Sequence, residues 1–300
     1  MRNFSHELTG ARRLFWQNKL AVLSSLFLLL FLALALVGGT LGRDALAVSQ
    51  AQFQPPSSQH WFGTDVHGRD LFTRVVHGVR ISLLVGFAGA SVSLIIGVLW
   101  GAIAGYIGGR LDAILMRIVD IIYSLPSIVF VIVLITTLEE RLKGWLSSSI
   151  SGEAATGARL LFLFVGLGAV SWLTMARVVR GQVLSLRNRT FVQASQVLGA
   201  SHFQILRKHI LPNVWGVIIV YLTLTIPSII LYESFLSFLG LGIQPPQASL
   251  GSLIAEGASQ INPLRIYWWM VVFPAGTLAL ALLAFNFAGN GLRDALDPQS

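Results

Sequence analysis

The chain has 300 residues, of which 54% are hydrophobic and 11% are charged, and its formal net charge is +8. Soluble domains average about 45–50% apolar and about 25% charged residues, so this composition excludes a soluble globular protein and indicates an integral membrane protein. The absence of cysteine excludes disulfides, thiolate metal sites and a cysteine nucleophile. The basic residues flank apolar runs and form no aromatic-interleaved patch, so they indicate membrane topology and no binding of nucleic acid.

Six apolar segments are long enough to cross a hydrocarbon core of about 30 Å, which requires about 20 residues. The predicted spans are 20–42, 81–109, 118–138, 160–176, 210–239 and 266–292. The first is too long in its uncharged part to be a cleaved signal peptide. Proline residues at positions 126, 227 and 274 predict kinks, because neighbouring helices can satisfy the freed backbone groups.

The distribution of Lys and Arg predicts the orientation of the chain. With six spans both termini lie on one side, and the loops on that side hold thirteen of these residues against eight in the other loops. The sequence therefore predicts that both termini lie in the cytoplasm. The segment between the fourth and fifth spans is predicted to lie there as well.

That cytoplasmic segment, FVQASQVLGASHFQILRKHILPNV at 191–214, is polar and basic between two apolar runs. Its first half predicts a short helix with one face formed by Phe191, Ala194, Ser195 and Leu198. Gly199 then suits the left-handed turn that ends a helix.

The second half of the segment predicts another short helix, because Ser201 and Gln204 fit a capping box. This helix is expected to end at Pro212 and to carry three apolar residues on one face: Phe203, Leu206 and Ile210. Two interpretations of the pair are open, an amphipathic hairpin lying on lipid and a surface that docks a protein.

The spacing of Gln193-Ala194-Ser195, three further residues, Gly199, and then Ile210-Leu211-Pro212 resembles the EAA loop of ABC importer permeases. Four longer stretches extend the resemblance over nearly the whole chain, at 60–86, 171–200, 233–242 and 285–298. They are similar to the dipeptide, oligopeptide and nickel group of these permeases, and most similar to the C subunit of oligopeptide importers. Gln193 stands where the family usually has Glu, and Ser195 where it has Ala.

The resemblance implies an all-α permease subunit that forms half of an oligopeptide pathway in the bacterial cytoplasmic membrane. Residues 1–80 would hold the N-terminal cytoplasmic segment, the first span and an external segment, and 81–300 a five-helix core with its coupling loop at 181–212. The implied partners are a second homologous permease in a heterodimer, two cytoplasmic ABC ATPases and an extracytoplasmic peptide-binding protein. ATP and Mg would be bound by the ATPases, and no cofactor by this chain.

Other functions receive less support from the sequence. The same role in a dipeptide or nickel importer is the nearest alternative. An ion-coupled secondary transporter would normally show internal repeats and several intramembrane charges, and neither pattern is visible. No motif for a phosphate-binding loop, a zinc protease or a nucleophile elbow occurs, so an enzyme is not expected.

Glu233 interrupts the predicted span 210–239 near its outer end. A charge at membrane depth costs about 2.5–3.5 kcal/mol on insertion scales, so it should face a partner or a water-filled cavity. Two hypotheses are open. Glu233 could act with Ser234 and Ser237 on the translocation path or its outer gate, or it could be an interfacial carboxylate at a helix end.

Small residues recur every fourth position in the second span, at Gly89, Ser93, Gly97, Gly101, Gly105 and Gly109. Such a stripe lets helices approach closely, either within this chain or against a second permease. Three further expectations concern polar side chains. Asp120 should pair with Arg117 one turn earlier. Thr64 or Asp65 should cap a short helix before the second span. The spacings of His60, His67 and His77 match no metal-ligand motif.

Overall fold

The structure is a computed structural model that describes residues 13–37, 45–146, 153–245 and 247–296. The end of the first predicted span, 38–42, lies outside these residues. The helices are α1 (Lys19–Val37), α2 (Leu71–Ile107), α3 (Gly109–Tyr123), α4 (Ser127–Leu146), α5 (Glu153–Arg187), α6 (Thr190–Val197), α7 (His202–Ile205), α8 (Leu211–Phe238), α9 (Leu250–Ser259) and α10 (Trp269–Leu296). A π-helical turn, Leu206–Ile210, joins α7 to α8.

The all-α class predicted from the sequence is confirmed over the described residues, which contain no named β-strand. Four helical segments there are long and apolar enough to cross a membrane: α1, α2, α10 and the segment His202–Phe238. A fifth candidate is α3 together with Ser127–Leu134, two helices bent by 90° at their junction. The exact number of six spans stays a prediction.

The second predicted span, 81–109, ends two residues early in the structure. Gly108 and Gly109 have φ angles of 69° and 60°, a left-handed conformation that ends α2 and that glycine adopts without steric cost. The guanidinium of Arg187 donates to the carbonyl oxygens of Tyr106 and Ile107 at 3.0 and 3.1 Å. These bonds satisfy carbonyls that the end of a helix leaves without partners. Gly109 therefore lies beyond the helical stripe to which it was assigned.

The third predicted span, 118–138, is not one continuous helix. α3 ends at Tyr123 and α4 begins at Ser127, with the 90° bend between them. Pro126 has no N–H to donate, and it disfavours helical backbone at the residue before it. The hydroxyl of Ser124 donates to the carbonyl oxygen of Ile121 at 2.7 Å, which closes the end of α3.

The start of α2 also differs from the prediction. Residues 63–69 form turns, and Thr64 and Asp65 cap no short helix. Asp70 performs this role for α2, because its carboxylate accepts the backbone N–H of Thr73 at 2.9 Å. The carboxylate of Asp65 is engaged by other donors, the side chains of Arg69 and Arg74, at 2.6 and 2.5 Å.

The chain divides into two compact units. The described part of the first comprises residues 13–14, 88–146, 153–226 and 292–296, and its core lies among α2, α5 and the segment 192–218. The described part of the second comprises residues 15–37, 45–87, 227–245 and 247–291. Within it Arg74 bridges Asp65 and Glu256, and the indole of Trp269 donates to the carbonyl oxygen of Thr64 at 3.2 Å.

The small-residue stripe of α2 packs against α5 in the first unit. A Cβ added at Gly97 would lie 2.6 Å from the Cβ of Met175, and one at Gly105 would lie 2.8 Å from the carbonyl oxygen of Arg180. A Cβ at Gly101 would overlap the carbonyl oxygen of Ala176. The packing within the chain that the stripe predicted is confirmed for these three glycines.

The expected pair between Asp120 and Arg117 does not form. Asp120 instead accepts from Arg177 of α5 at 2.8 Å. The guanidinium of Arg177 also lies 4.1 Å from the ring centroid of Tyr123, so the ring and the carboxylate together fix its position. A partner 57 residues away in the sequence outcompetes a neighbour on the same helix.

The contact between α2 and α5 can be tested with two glycines that differ in their surroundings. Gly101→Ala should lower the melting temperature of the purified chain, because overpacking costs typically about 1–3 kcal/mol. Gly181→Ala is the matched control, since a Cβ there meets nothing within 4 Å, and it should leave the melting temperature equal or higher. Equal melting temperatures for Gly101→Ala and the parent would contradict the close contact.

Candidate functional site

The candidate site is the hairpin formed by α6, α7 and the π turn, and its first bend lies at Gly199. The φ angle of Gly199 is 80°, so the left-handed turn predicted at this position is confirmed. The N–H of Gly199 donates to Gln196 and the N–H of Ala200 donates to Ser195, both at 3.0 Å. These two bonds are those of a Schellman motif, which satisfies the last carbonyls of a helix.

The second helix of the hairpin begins with the capping box that the sequence predicted. The N–H of Gln204 donates to the hydroxyl of Ser201 at 3.3 Å, and the N–H of Ser201 donates to the side-chain oxygen of Gln204 at 3.1 Å. The turn at Gly199 and the start of the second helix thus follow directly from local sequence signals.

The prediction that this second helix ends at Pro212 is wrong. The chain continues through the π turn into α8, and the N–H of Leu211 donates to the carbonyl oxygen of Leu206, five residues earlier. Pro212 is the second residue of α8, so it lies inside the continuous helical segment His202–Phe238 and does not end it. The side-chain amide of Asn213 donates to the carbonyl oxygen of His209 at 2.6 Å, which satisfies an acceptor beside the proline.

The π turn also changes which residues face the core. Val192, Ile205 and Ile210 are fully buried and pack with residues of α5 and α8 in one apolar cluster. Phe203 is 69% exposed, so the shared face predicted for Phe203, Leu206 and Ile210 is wrong. A π turn holds more residues per turn than an α-helix, so it rotates the side chains after it relative to those before it.

Apolar side chains are exposed at the tip of the hairpin. Val197 is 88% and Leu198 86% exposed, and Phe191 and Phe203 are also exposed. Arg207 and Lys208 of the π turn are exposed as well. Exposed apolar side chains that are grouped and rimmed by polar residues are typical of a surface that binds a partner.

The two residues that depart from the family pattern lie on α6. Gln193 is exposed, and its amide donates to the carbonyl oxygen of Asn188 at 3.4 Å. The hydroxyl of Ser195 donates to the carbonyl oxygen of Phe191 at 2.9 Å, within its own helix. Ala194 is exposed between them. The outer face of α6 therefore presents an amide where a carboxylate is usual.

The hairpin is fixed to the end of α2 by a polar contact. The hydroxyl of Tyr106 and Nδ1 of His202 lie 3.0 Å apart, and the two rings are in edge contact. Sequence reasoning missed this pair and the buried anchors Val192 and Ile205. The anchors alternate with exposed residues on helices too short to show a period, and Tyr106 is 96 residues from His202.

The second candidate site surrounds Glu233, which is fully buried. Its carboxylate accepts from the hydroxyl of Ser237 at 2.6 Å, from Ser82 at 3.1 Å and from Ser234 at 3.4 Å. The hydroxyl oxygen of Ser82 also accepts the N–H of Leu250, the first residue of α9, at 3.4 Å. The cluster therefore joins α2, α8 and α9. Ser234 and Ser237 were predicted, whereas Ser82, far away in the sequence, was missed.

The histidines at positions 60, 67 and 77 form no metal-binding group. Nδ1 of His60 lies 2.9 Å from a carboxylate oxygen of Asp70. Across the described residues, no three His, Cys, Asp or Glu side chains are grouped so that they could hold a metal ion.

Comparison with known proteins agrees with this architecture. The family described as "Binding-protein-dependent transport system inner membrane component" matches residues 97–300. The oligopeptide transport system permease protein OppC of Haemophilus influenzae is 43% identical, over 96% of this chain and 88% of that protein. The dipeptide transport system permease protein DppC of Bacillus subtilis is 46% identical, over 94% and 83%.

A solved structure extends the agreement to the fold. A chain of the MetNI methionine ABC transporter in an inward-facing conformation superposes with a TM-score of 0.57 at 21% identity, covering 76% of this chain and 98% of that one. At this identity the likeness concerns the fold alone. With the family match over most of the chain and the two relatives, it shows that this protein belongs to the inner membrane components of binding-protein-dependent transport systems.

Proposed function

We propose that this chain is a permease subunit of an ATP-driven importer of oligopeptides and that it forms half of the translocation pathway. The relatives named for oligopeptide and dipeptide transport support this substrate class. A dipeptide importer is the second candidate, because the Bacillus subtilis dipeptide permease is as similar to this chain as the oligopeptide permeases are. Six spans, cytoplasmic termini in a bacterial inner membrane and a division near residue 80 are parts of the same proposal.

The exposed tip of the hairpin is the observation that carries the mechanism. Val197 and Leu198 are almost fully exposed on a hairpin whose other side is firmly packed. Covering them with a groove of a cytoplasmic ABC ATPase would remove apolar area from water, which stabilises association. The basic residues Arg207 and Lys208 would favour an acidic rim on that groove. Gln193 would contribute neutral hydrogen bonds, which are about half as strong as charge-assisted ones.

The buried side of the hairpin provides the route by which ATPase motion enters the membrane. Val192 and Ile205 pack with Val183 of α5 and Val214 of α8 in one cluster. Close-packed interiors transmit displacement because they compress little. A movement of α6 and α7 would thus displace the ends of α5 and α8. ATP and Mg would act on the two ATPases, and a second permease and a peptide-binding protein would complete the importer.

Glu233, Ser234 and Ser237 are proposed to act on the outer gate of the path by positioning α9. The carboxylate is fully buried in the structure, so this role does not require contact with the peptide. Its bonds to serines of α2 and α8 hold the start of α9 in place.

The topology can be tested by labelling single cysteines, because the chain has no cysteine of its own. Ser57→Cys should react with a membrane-impermeant thiol reagent in intact cells. Ser201→Cys should react only after the membrane is permeabilised. Both positions are exposed, so a difference in labelling reports the side of the membrane. Labelling of Ser201→Cys from outside would overturn the orientation and the ATPase contact.

The Schellman turn can be tested at Gly199, where a substitution acts through backbone conformation because a Cβ would meet nothing within 4 Å. Gly199→Val should reduce ATPase-coupled transport, since left-handed backbone costs about 1–2 kcal/mol for ordinary residues. Gly199→Asn should retain more transport, because asparagine tolerates this conformation better. Equal transport by both variants and the parent, at equal amounts in the membrane, would remove the turn from the mechanism.

The docking face can be tested at Leu198. Leu198→Ser should weaken the affinity of the ATPase for the permease in nanodiscs by roughly tenfold or more, because burying a leucine contributes about 1.5–3 kcal/mol. The melting temperature should stay unchanged, since the side chain is 86% exposed. Leu231→Ser is the control, an exposed leucine of α8 away from the hairpin. Unchanged affinity for Leu198→Ser would show that the tip is not the docking face.

A further inference from the structure

Helix α3 packs along α2 and α5 in the direction opposite to both. The indole of Trp100 in α2 donates to the carbonyl oxygen of Leu115 at 3.2 Å. The guanidinium of Arg180 in α5 donates to both carboxylate oxygens of Asp112. Together with Ser127–Leu134, α3 forms the bent candidate span, so it is the first half of a membrane crossing.

The exposed surface of α3 is divided into two stripes of opposite character. One stripe consists of apolar side chains that are 39–61% exposed: Leu111, Ile114, Ile118 and Ile121. The other is offset from it by one residue and consists of exposed polar or small residues: Arg110, Ala113, Arg117 and Asp120. Spacings of three and four residues place each set along one side of the helix. The two sides of α3 therefore suit different surroundings.

The polar stripe of α3 continues onto α5 through an ion pair. Asp120 accepts from Arg177 at 2.8 Å, and the two side chains are still 57% and 39% exposed. The same side of α5 exposes polar or small residues at helical spacing: Thr174, Arg177, Gly181 and Ser185. Helix α1, by contrast, exposes a row of leucines. The four residues of α3 and the four of α5 form one polar wall.

The polar wall extends into the depth of the membrane. Asp120 lies eleven residues after the start of α3, which corresponds to about 16 Å along the helix axis. Thr174 lies thirteen residues before the end of α5, or about 20 Å. Both residues also belong to the spans predicted from the sequence, 118–138 and 160–176.

Neither lipid nor a second permease suits the polar wall. Charged side chains within a span face the interior of the bundle or a water-filled cavity, because acyl chains cannot solvate them. Within the part of the chain that the structure describes, Arg110 and Arg117 have no acidic partner. A protein surface packed over them would bury two unpaired guanidinium groups, which is strongly unfavourable. Water satisfies all of these groups.

We propose that the polar wall lines the cytoplasmic half of the translocation pathway and that its positive charge attracts the carboxylates of the peptide. The wall carries three guanidinium groups against the one carboxylate of Asp120. Guanidinium groups form charge-assisted hydrogen bonds with carboxylates, and an unmodified peptide ends in a carboxylate. The inference rests on the proposed function, which supplies the pathway and its orientation.

The first test is the reactivity of single cysteines in the assembled, nucleotide-free importer, in nanodiscs and with partner subunits that lack cysteine. Thr174→Cys and Gly181→Cys should react with a sulfonated maleimide, and the bulky adduct should then block ATP-dependent peptide uptake in proteoliposomes. A Cβ at position 181 meets nothing within 4 Å, so that variant should fold normally.

The matched control for this test is Ile121→Cys on the apolar stripe. It should react with the sulfonated maleimide roughly tenfold more slowly or less, because a thiol in apolar surroundings stays protonated. Its modification with the lipid-soluble N-ethylmaleimide should leave peptide uptake intact, since that side of α3 faces lipid.

The second test measures the charge of the wall at Ala113→Cys, one turn from Arg110 and from Arg117. A methanethiosulfonate that carries a sulfonate should react roughly fivefold faster than one that carries a quaternary ammonium, relative to the same ratio for a free thiol. Arg110→Gln combined with Arg117→Gln should bring this ratio close to one. Arg265→Gln combined with Arg293→Gln removes the same charge from exposed positions elsewhere and should leave the ratio unchanged.

Several results would overturn the proposal. Unreactive Thr174→Cys and Gly181→Cys, or full peptide uptake after their modification, would remove the wall from the pathway. Reaction in the isolated chain but not in the assembled importer would make the wall a subunit interface. A ratio that the α3 arginine variant does not change would refute the attraction of carboxylates. Peptide uptake by the cysteine-free parent reports on the importer itself, so failure of the wall is distinguishable from failure of the proposed function.

Discussion

The close approach of α2 and α5 is the contact on which the first unit depends. At Gly97, Gly101 and Gly105 the two helices are nearer than any side chain would allow. In a bilayer the association of helices depends on such van der Waals packing, because lipid tails are as apolar as the helices themselves. The contact places Val183 and Arg187, near the end of α5, beside the end of α2. The hairpin contacts both helix ends. Val183 of α5 packs with its buried residues, and Tyr106 of α2 contacts His202.

Polar groups of the chain are used chiefly to fix helices to one another. Asp112 and Asp120 attach α3 to α5, and Arg187 closes the end of α2. In the second unit, Arg69, just before α2, and Arg74, in its first turn, both pair with Glu256 of α9. The buried pair of Arg74 with Asp65 is costly to break, because removing one partner leaves an uncompensated charge. The polar contacts hold the helices in register, whereas Val197 and Leu198 at the tip of the hairpin are exposed.

The sequence predicts this protein well where the signal is local. The Schellman turn at Gly199 and the capping box at Ser201 each depend on a few neighbouring residues, and both were found. Predictions failed where distant residues decide. Asp120 binds Arg177 on another helix, and Ser82 reaches Glu233 across 151 positions. The predicted helix end at Pro212 was wrong for another reason, since the π turn before it follows no recognised sequence pattern. The same turn rotates Ile210 away from the side of Phe203, so the predicted shared face was wrong as well.

The serines around Glu233 bear on how the chain enters the membrane during its synthesis. Ser234 and Ser237 belong to the same helix as Glu233. Two hydrogen-bond donors to the carboxylate therefore enter the membrane together with it when the cell's insertion machinery releases that helix. Ser82 is synthesised earlier, and its helix would already be present to receive the carboxylate. The N-terminus of α9 arrives last and completes the cluster. A buried acid carried with its own donors is less costly to insert than a bare charge, and the order of the chain thereby matches the order of insertion.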